Sequence, residues 1–411
     1  MSWASIADNQ TVSFNNLQDA VNTGQLTAKT TIPSSNQQVT KAAADTYVEV
    51  ATNYPSYAAK ASNQLIVKSN LIDNVRVFAP GQIGSLWGLV YGTNGTTFQL
   101  NGQATAAVMP NCVAASRNGT YILLGRNGVS APDGDGWLSQ DGGIDFFRLN
   151  AYVGNRESIV FAVMSQSGQY MVFSRSDGGV SESNFQRLYT SSNYGTSFTQ
   201  TYITFPLGIN WWQNGASMSA DGSRIVIAAS EGAGGNQAQR IYSNDYGATW
   251  SNTNFSASIN ALASASGMSS SGQYQLTAWS SNVSHVYVSN NYGSSWTNTG
   301  LFPTPLTQAI WVSGCVSSTG QYMLMLNESG ILYRSSDYGV SWSPANGGTQ
   351  FPDGGTVIYD YINEGVAYLS LNYNLGGITG YLYRSLDYGN TWSVQSSTTY
   401  RLGPTLAISN I

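Results

Sequence analysis

Charge is what this sequence has least of. Lys plus Arg number 16 and Asp plus Glu 21 in 411 residues, or 9%, against roughly 25% in an average soluble protein. With a net charge of −5 and a pI near 4.8, it offers no clustered Lys and Arg to neutralise phosphates, which excludes a nucleic-acid binder. Two cysteines exclude a disulfide scaffold and a Cys-based zinc site, and His285 is the only histidine. No run of about 18 apolar residues is present to span a membrane, and Met1 to Gln10 lacks the basic and apolar regions of a secretory signal. Work outside a cell would therefore need another route of export.

The place of charge is taken by Ser, Thr, Asn, Gln, 44 Gly and many aromatics, including 26 Tyr and 11 Trp. Aromatics at this level argue for a folded, β-rich body rather than a disordered chain. All four lysines (Lys29, Lys41, Lys60, Lys68) fall in the first 70 residues, whereas residues 71–411 carry twelve Arg and no Lys. That shift predicts two modules, 1–70 and 71–411.

The larger module repeats itself. Ser-x-Asp-x-Gly-x-x-Trp, with small variations, occurs six times: Ser139/Asp141/Gly143/Phe146, Ser191/Asn193/Gly195/Phe198, Ser243/Asp245/Gly247/Trp250, Ser289/Asn291/Gly293/Trp296, Ser335/Asp337/Gly339/Trp342 and Ser385/Asp387/Gly389/Trp392. A period of about 50 residues, each unit holding several short strands, is the signature of a β-propeller. A second motif, Ser-x-x-Gly-x-Tyr, leads into the second strand of each unit at Ser116–Tyr121, Ser165–Tyr170, Ser269–Tyr274 and Ser317–Tyr322, with Ser219–Arg224 as a variant. Residues 72–100 read as a decayed unit lacking an inner strand, which Thr405–Ser409 would supply. The expected fold is thus all-β, a seven-bladed propeller closed by the C-terminal strand, with six blades as the alternative. Cys112 and Cys315 fall on inner strands of separate blades, too far apart to pair.

The repeated residues have structural work to do. Asp or Asn accepts turn N–H groups, Gly supplies positive φ, and the aromatic covers the hairpin. Asn193 and Asn291 keep the acceptor without the charge, so Asp141, Asp245, Asp337 and Asp387 are expected to be structural, as are Trp250, Trp296, Trp342 and Trp392. The six copies resemble Asp-box (BNR) repeats, which occur in sialidases, other glycoside hydrolases, sortilin-type receptors and photosystem-assembly factors. That resemblance implies a fold and leaves function open.

The first 70 residues are too polar for a large core. Ser13–Val21 is expected as a short amphipathic helix, and Thr40–Val50 as helix or strand. The wording of this segment (DNQTVSFNNLQDAVNTG, SNQLIVKSNL) resembles a module of tailed-bacteriophage virion proteins. The resemblance implies a virion location, attachment through residues 1–70 to other virion proteins in a multi-copy or homo-oligomeric assembly, and release by lysis rather than secretion. An extracellular location is the alternative.

For the propeller, binding is expected rather than catalysis. The nearest match to the early sialidase motif, Val75-Arg76-Val77-Phe78, lacks its proline, and Arg334 and Arg384 recur at equivalent positions as structural residues do. No local motif marks a carboxylate pair, and His285 has no evident nucleophile. Specificity is expected on the irregular loops 126–137, 175–185, 231–239 and 372–380 and the blade connections 205–215 and 302–311. Trp211, Trp212 and Trp311 would offer flat faces to sugar rings beside Asn214. Asp133 and Asp135 suit an acidic turn better than a Ca²⁺ site; no cofactor or metal is expected. A host-surface glycan is the expected partner, with a propeller glycoside hydrolase or a protein-binding assembly scaffold as alternatives.

Overall fold

A computed structural model describes the strands of the first 69 residues and then residues 75–83, 86–93, 97–100, 110–126, 136–149, 157–177, 185–204, 209–210, 215–231, 237–257, 262–280, 285–299, 310–352, 355–361, 363–371, 380–398, 401–402 and 406–410. The chain divides into two compact units, Met1–Asp73 and Asn74–Ile411. In the first, six short strands form one sheet, antiparallel except where Thr27–Ala28 runs parallel to Gln64–Ser69. The two ends of Thr40–Val50 are strand, Gln38–Lys41 pairing antiparallel with Val48–Ala51, and residues 42–47 lie outside the described residues. Of the expected helix, Ser13 ends the strand Thr11–Ser13, and residues 14–21 lie outside the described residues.

In the second unit six antiparallel sheets follow one another along the chain: blade 1 (residues 110–148), blade 2 (157–204), blade 3 (209–257), blade 4 (262–298), blade 5 (311–344) and blade 6 (355–398). Consecutive strands stand side by side in each, except that in blade 3 Ile209–Asn210 and Ala216–Met218 both pair with Ile225–Glu231, and the walls of successive blades pack together, which defines a β-propeller. The expected count of seven blades is corrected to six, the alternative count, because residues 75–100 do not form a blade of their own. The remaining strands form a composite sheet from both ends of the unit: Val75–Ile83, Leu86–Thr93 and Thr97–Leu100 in hairpins, with Arg401–Leu402 and Ala407–Asn410 both paired to Val75–Ile83. Phe78 and Ala407 of this sheet pack against Val113, Ile122 and Leu124 of blade 1.

Alternation explains the packing. All of Met323–Asn327 (MLMLN) is buried because successive side chains face different neighbours: Met323 and Met325 pack with Leu276 and Val286 of blade 4, whereas Leu324 and Leu326 pack with Val357 and Leu369 of blade 6. A middle strand covered on both faces therefore reads as a continuous apolar run. The outer strands Phe147–Arg148, Thr297–Asn298 and Ser343–Pro344 are exposed, and an edge is where Pro344, with no N–H to give, is tolerated. Cys112 and Cys315 are free and buried in the inner strands of blades 1 and 5. Burial pushes the Cys112 thiol up to about 12 and raises that of Cys315 as well.

Neighbouring blades are also stitched at the end carrying the turns. Backbone hydrogen bonds pass from Arg117 N to Gln166 O, Gln166 N to Ala220 O, Ala220 N to Ser270 O and Ser270 N to Ser318 O, at 2.8–3.0 Å; Ser318 Oγ then donates to Glu364. The residue closing each inner turn lies against the next blade's Ser-x-Asp/Asn-Tyr-Gly turn. Tyr121 meets Tyr194, Tyr170 meets Tyr246, Tyr274 meets Tyr338 and Tyr322 meets Tyr388, at ring separations of 3.8–5.1 Å. In blade 3 the guanidinium of Arg224 lies 4.5 Å from the Tyr292 ring centre.

Candidate functional site

Each repeated turn is a closed hydrogen-bond unit. In blade 5, Ser335 Oγ donates to Asp337 Oδ1 at 2.8 Å and accepts from Gly339 N at 2.8 Å. Asp337 Oδ1 accepts from Ser341 N, and its Oδ2 from Ser341 Oγ at 2.6 Å. Trp342 Nε1 donates to Gly339 O at 3.2 Å, as Trp250, Trp296 and Trp392 do to the carbonyls of Gly247, Gly293 and Gly389. Asp141, Asp245 and Asp387 repeat the carboxylate pattern. With Asn193 and Asn291 the side-chain oxygen still accepts a backbone N–H, while the amide donates to Ser197 or Ser295. The Tyr after the Asp or Asn in blades 2 to 6 has positive φ, near 60°, and blade 1 has Gly142 there.

These bonds set the acidity of the turn carboxyls. Burial alone would raise the Asp337 carboxyl, but donation from Ser341 and Ser335 outweighs it and holds its pKa below the usual aspartate value; Asp141, Asp245 and Asp387 are lowered in the same way. A carboxyl depressed by folding contributes stability that is fully present above the unfolded pKa, about 3.9, and is lost as pH falls through the lower folded values. The urea midpoint is therefore expected to hold from pH 7 to 5 and fall below about pH 4, with a shallower fall when Asp245, Asp337 and Asp387 are all replaced by Asn. A decline already under way above pH 5 would show that other groups dominate.

The expected ligand residues fare differently. Trp211, Trp212 and Asn214 lie outside the described residues, as do Asp133, Asp135 and most of the irregular loops. The blade connection 205–215 is corrected in part: Ile209–Asn210 is strand, paired with Ile225–Glu231, as is Ala216–Met218. Trp311 is a correction too. It opens the inner strand of blade 5, is 0% exposed, and packs edge-on to Tyr333, so it fills an inter-blade wall and presents no face to a sugar. His285 begins a strand of blade 4, with its ring beside Asn298 and Tyr287. Among the described residues no group of three or more His, Cys, Asp or Glu could hold a metal ion, and no helix is long and apolar enough to cross a membrane.

What the sequence reading missed is a groove between blades 3 and 4, at the end carrying the turns, with a volume of about 660 Å³. Arg224 and Arg240 line it together with Tyr242, Asn244, Tyr287 and the turn 292–296, and its lining includes no Asp or Glu. Arg224 Nη1 donates to Asn244 Oδ1 at 3.0 Å. Arg240 is 5% exposed. Its Nη1 donates to Gly293 O at 2.7 Å and its Nη2 to Thr253 Oγ1 at 3.3 Å, while its guanidinium carbon lies 4.3 Å from the Tyr242 ring centre and 4.9 Å from that of Trp296. Burial pushes its pKa down to about 10. Gly293 leaves it room, since a Cβ there would come within 2.9 Å of Nη1. The signal in the sequence was Arg240 itself, three residues before a turn serine, where four of the other five copies have Leu or Val and the fifth has Gly.

Solved structures agree with the propeller architecture. A protein from Lactobacillus plantarum is 13% identical with a TM-score of 0.55, over 82% of this chain and 98% of that one. An ancestral GH74 enzyme is 13% identical with a TM-score of 0.51, over 77% of this chain and 45% of that one. The Niastella koreensis GH74 enzyme is 15% identical with a TM-score of 0.40, over 88% of this chain and 72% of that one. At these identities the likeness of the first two is one of fold alone. No family model and no curated protein matches the sequence.

Proposed function

We propose that this chain is a non-enzymatic structural or adhesion protein of a bacteriophage virion. Residues 1–70 attach it to other virion proteins, and the six-bladed propeller is displayed outward to bind a host-surface glycan or protein. One observation carries the non-enzymatic part: the repeated carboxyls are acceptors saturated by their own turns. A glycosidase general acid needs its pKa raised so that it holds a proton near neutrality. Asp141, Asp245, Asp337 and Asp387 are pushed the opposite way, as is Asp221 in an inner turn of blade 3. The virion part rests on the wording of residues 1–70. The charge-poor Ser/Thr/Asn/Gly/Tyr composition suits a surface that contacts sugars by hydrogen bonds.

Two measurements test it. Antibody against the chain is expected to label intact particles purified from a lysate of the source, and the full chain to retain glycans on an array without releasing reducing sugar from sialosides or polysaccharides. Absence from particles overturns the virion role. Turnover abolished by substituting one carboxylate overturns the non-enzymatic reading and makes the chain a propeller hydrolase.

A further inference from the structure

Three departures from the repeat meet in the groove between blades 3 and 4. The residue three before the turn serine is Leu188, Val286, Leu332 and Leu382 in blades 2, 4, 5 and 6, each buried, and Gly136 in blade 1; only blade 3 has an arginine, Arg240. The residue closing the inner turn is Tyr121, Tyr170, Tyr274 and Tyr322 in blades 1, 2, 4 and 5 and Arg224 in blade 3. The facing turn of blade 4 carries Asn291 where four of the six copies carry Asp. Each change adds positive charge or removes negative charge at one interface, although the chain as a whole is net negative.

Stability does not account for Arg240. Taking a guanidinium out of water is costly, and well-packed apolar residues commonly replace buried charge without loss. The repeat shows that Leu or Val fits this site in the neighbouring blades. Reaching the next blade's turn does not need it either: in blade 5 Arg334, directly before the serine, donates from Nε to Tyr388 O at 2.9 Å, and Leu332 keeps the wall apolar.

We propose that this groove binds an acidic saccharide. The sugar carboxylate lies between Arg224 and Arg240, and its hydroxyls hydrogen-bond to Asn244, Tyr287 and Ser294. Guanidinium donors match a carboxylate in geometry and charge. Their stacking on Tyr242, Trp296 and Tyr292 fixes the cations in place, so little freedom is lost on binding. The rim of hydroxyl and amide groups suits a polyhydroxylated ligand, and about 660 Å³ lies within the roughly 300–1,000 Å³ typical of small-molecule sites. Two cations and no carboxylate in the lining match one sugar carboxylate seated in the groove. The site is independent of the virion reading and consists of described residues of blades 3 and 4.

The test is isothermal titration of the full chain at low salt with trigalacturonic acid, beside maltotriose and inorganic phosphate. Binding of the acidic trisaccharide alone is expected. Arg240→Leu and Arg224→Tyr, each restoring the residue of other blades, are expected to weaken it roughly tenfold or more, the worth of a charge-assisted hydrogen bond, with unfolding midpoints unchanged or raised. If Arg240→Leu does not fold, Arg224→Tyr decides. The proposal is overturned if trigalacturonic acid does not bind, if maltotriose or phosphate binds as tightly, or if the folded variants bind as well as the parent.

Discussion

Replacing Gly320 by alanine is expected to destabilise the larger unit by about 2–5 kcal/mol, through two effects acting together. Gly320 has φ of +90° in the inner turn of blade 5, and a Cβ there would come within 2.1 Å of the Tyr274 ring of blade 4. The left-handed conformation costs a residue with a side chain roughly 1–2 kcal/mol, and forcing bulk into a packed contact adds about 1–3 kcal/mol. Tyr274 cannot step aside, because its other face lies on Tyr338, with ring centres 4.6 Å apart. Gly347 separates the two effects. Its φ is +62° but nothing lies within 4 Å of its Cβ position, so Gly347→Ala is expected to lose only the conformational part. Urea unfolding followed by tryptophan fluorescence measures both. Equal losses would show that the stitching between turns contributes nothing.

Removing the serine hydroxyl at a repeated turn is expected to cost more than removing the charge beside it. Ser335 is 1% exposed, and its Oγ accepts from the N–H of Gly339 while donating to Asp337. Alanine there leaves a buried N–H without a partner, a loss of about 1–3 kcal/mol. Asp337→Asn keeps an oxygen for Ser341 N and only reverses the bond to Ser341 Oγ, the arrangement seen at Asn193 and Asn291. It is expected to cost under about 1 kcal/mol, because the number of hydrogen bonds is kept. If the Asn variant proves the less stable of the two, charge rather than acceptor geometry holds the turn. The same urea series reports both.

The parts of this fold written as local chemistry were legible. Spacing of the turn serines placed the blades, because each Ser-x-Asp/Asn-x-Gly turn satisfies itself within a few residues. The closing strand at Thr405–Ser409 was legible from its likeness to the inner-strand ends at Cys112 and Cys315, and it lies in the sheet as Ala407–Asn410. The blade count was overdrawn because the composite sheet retains the alternation of a blade but not its turn. Trp311 misled for a physical reason: an indole at the start of an inner strand has the same composition around it whether it faces a neighbouring wall or solvent. The groove was illegible as a site because its parts come from two blades. Arg240 and Trp296 are distant in sequence and meet only when the walls pack. Their neighbours Tyr242 and Tyr292 read simply as strand and turn residues.

The closing pair of strands matters for time as well as for structure. Ala407–Asn410 and Val75–Phe78 come from opposite ends of the propeller unit, so theirs is a long loop to close and a contact that forms late in a folding chain. Interactions made late, after the rate-limiting barrier, slow unfolding without speeding folding. The strand then acts as a latch between the two ends of the unit, and unfolding of the larger unit is expected to begin with its release.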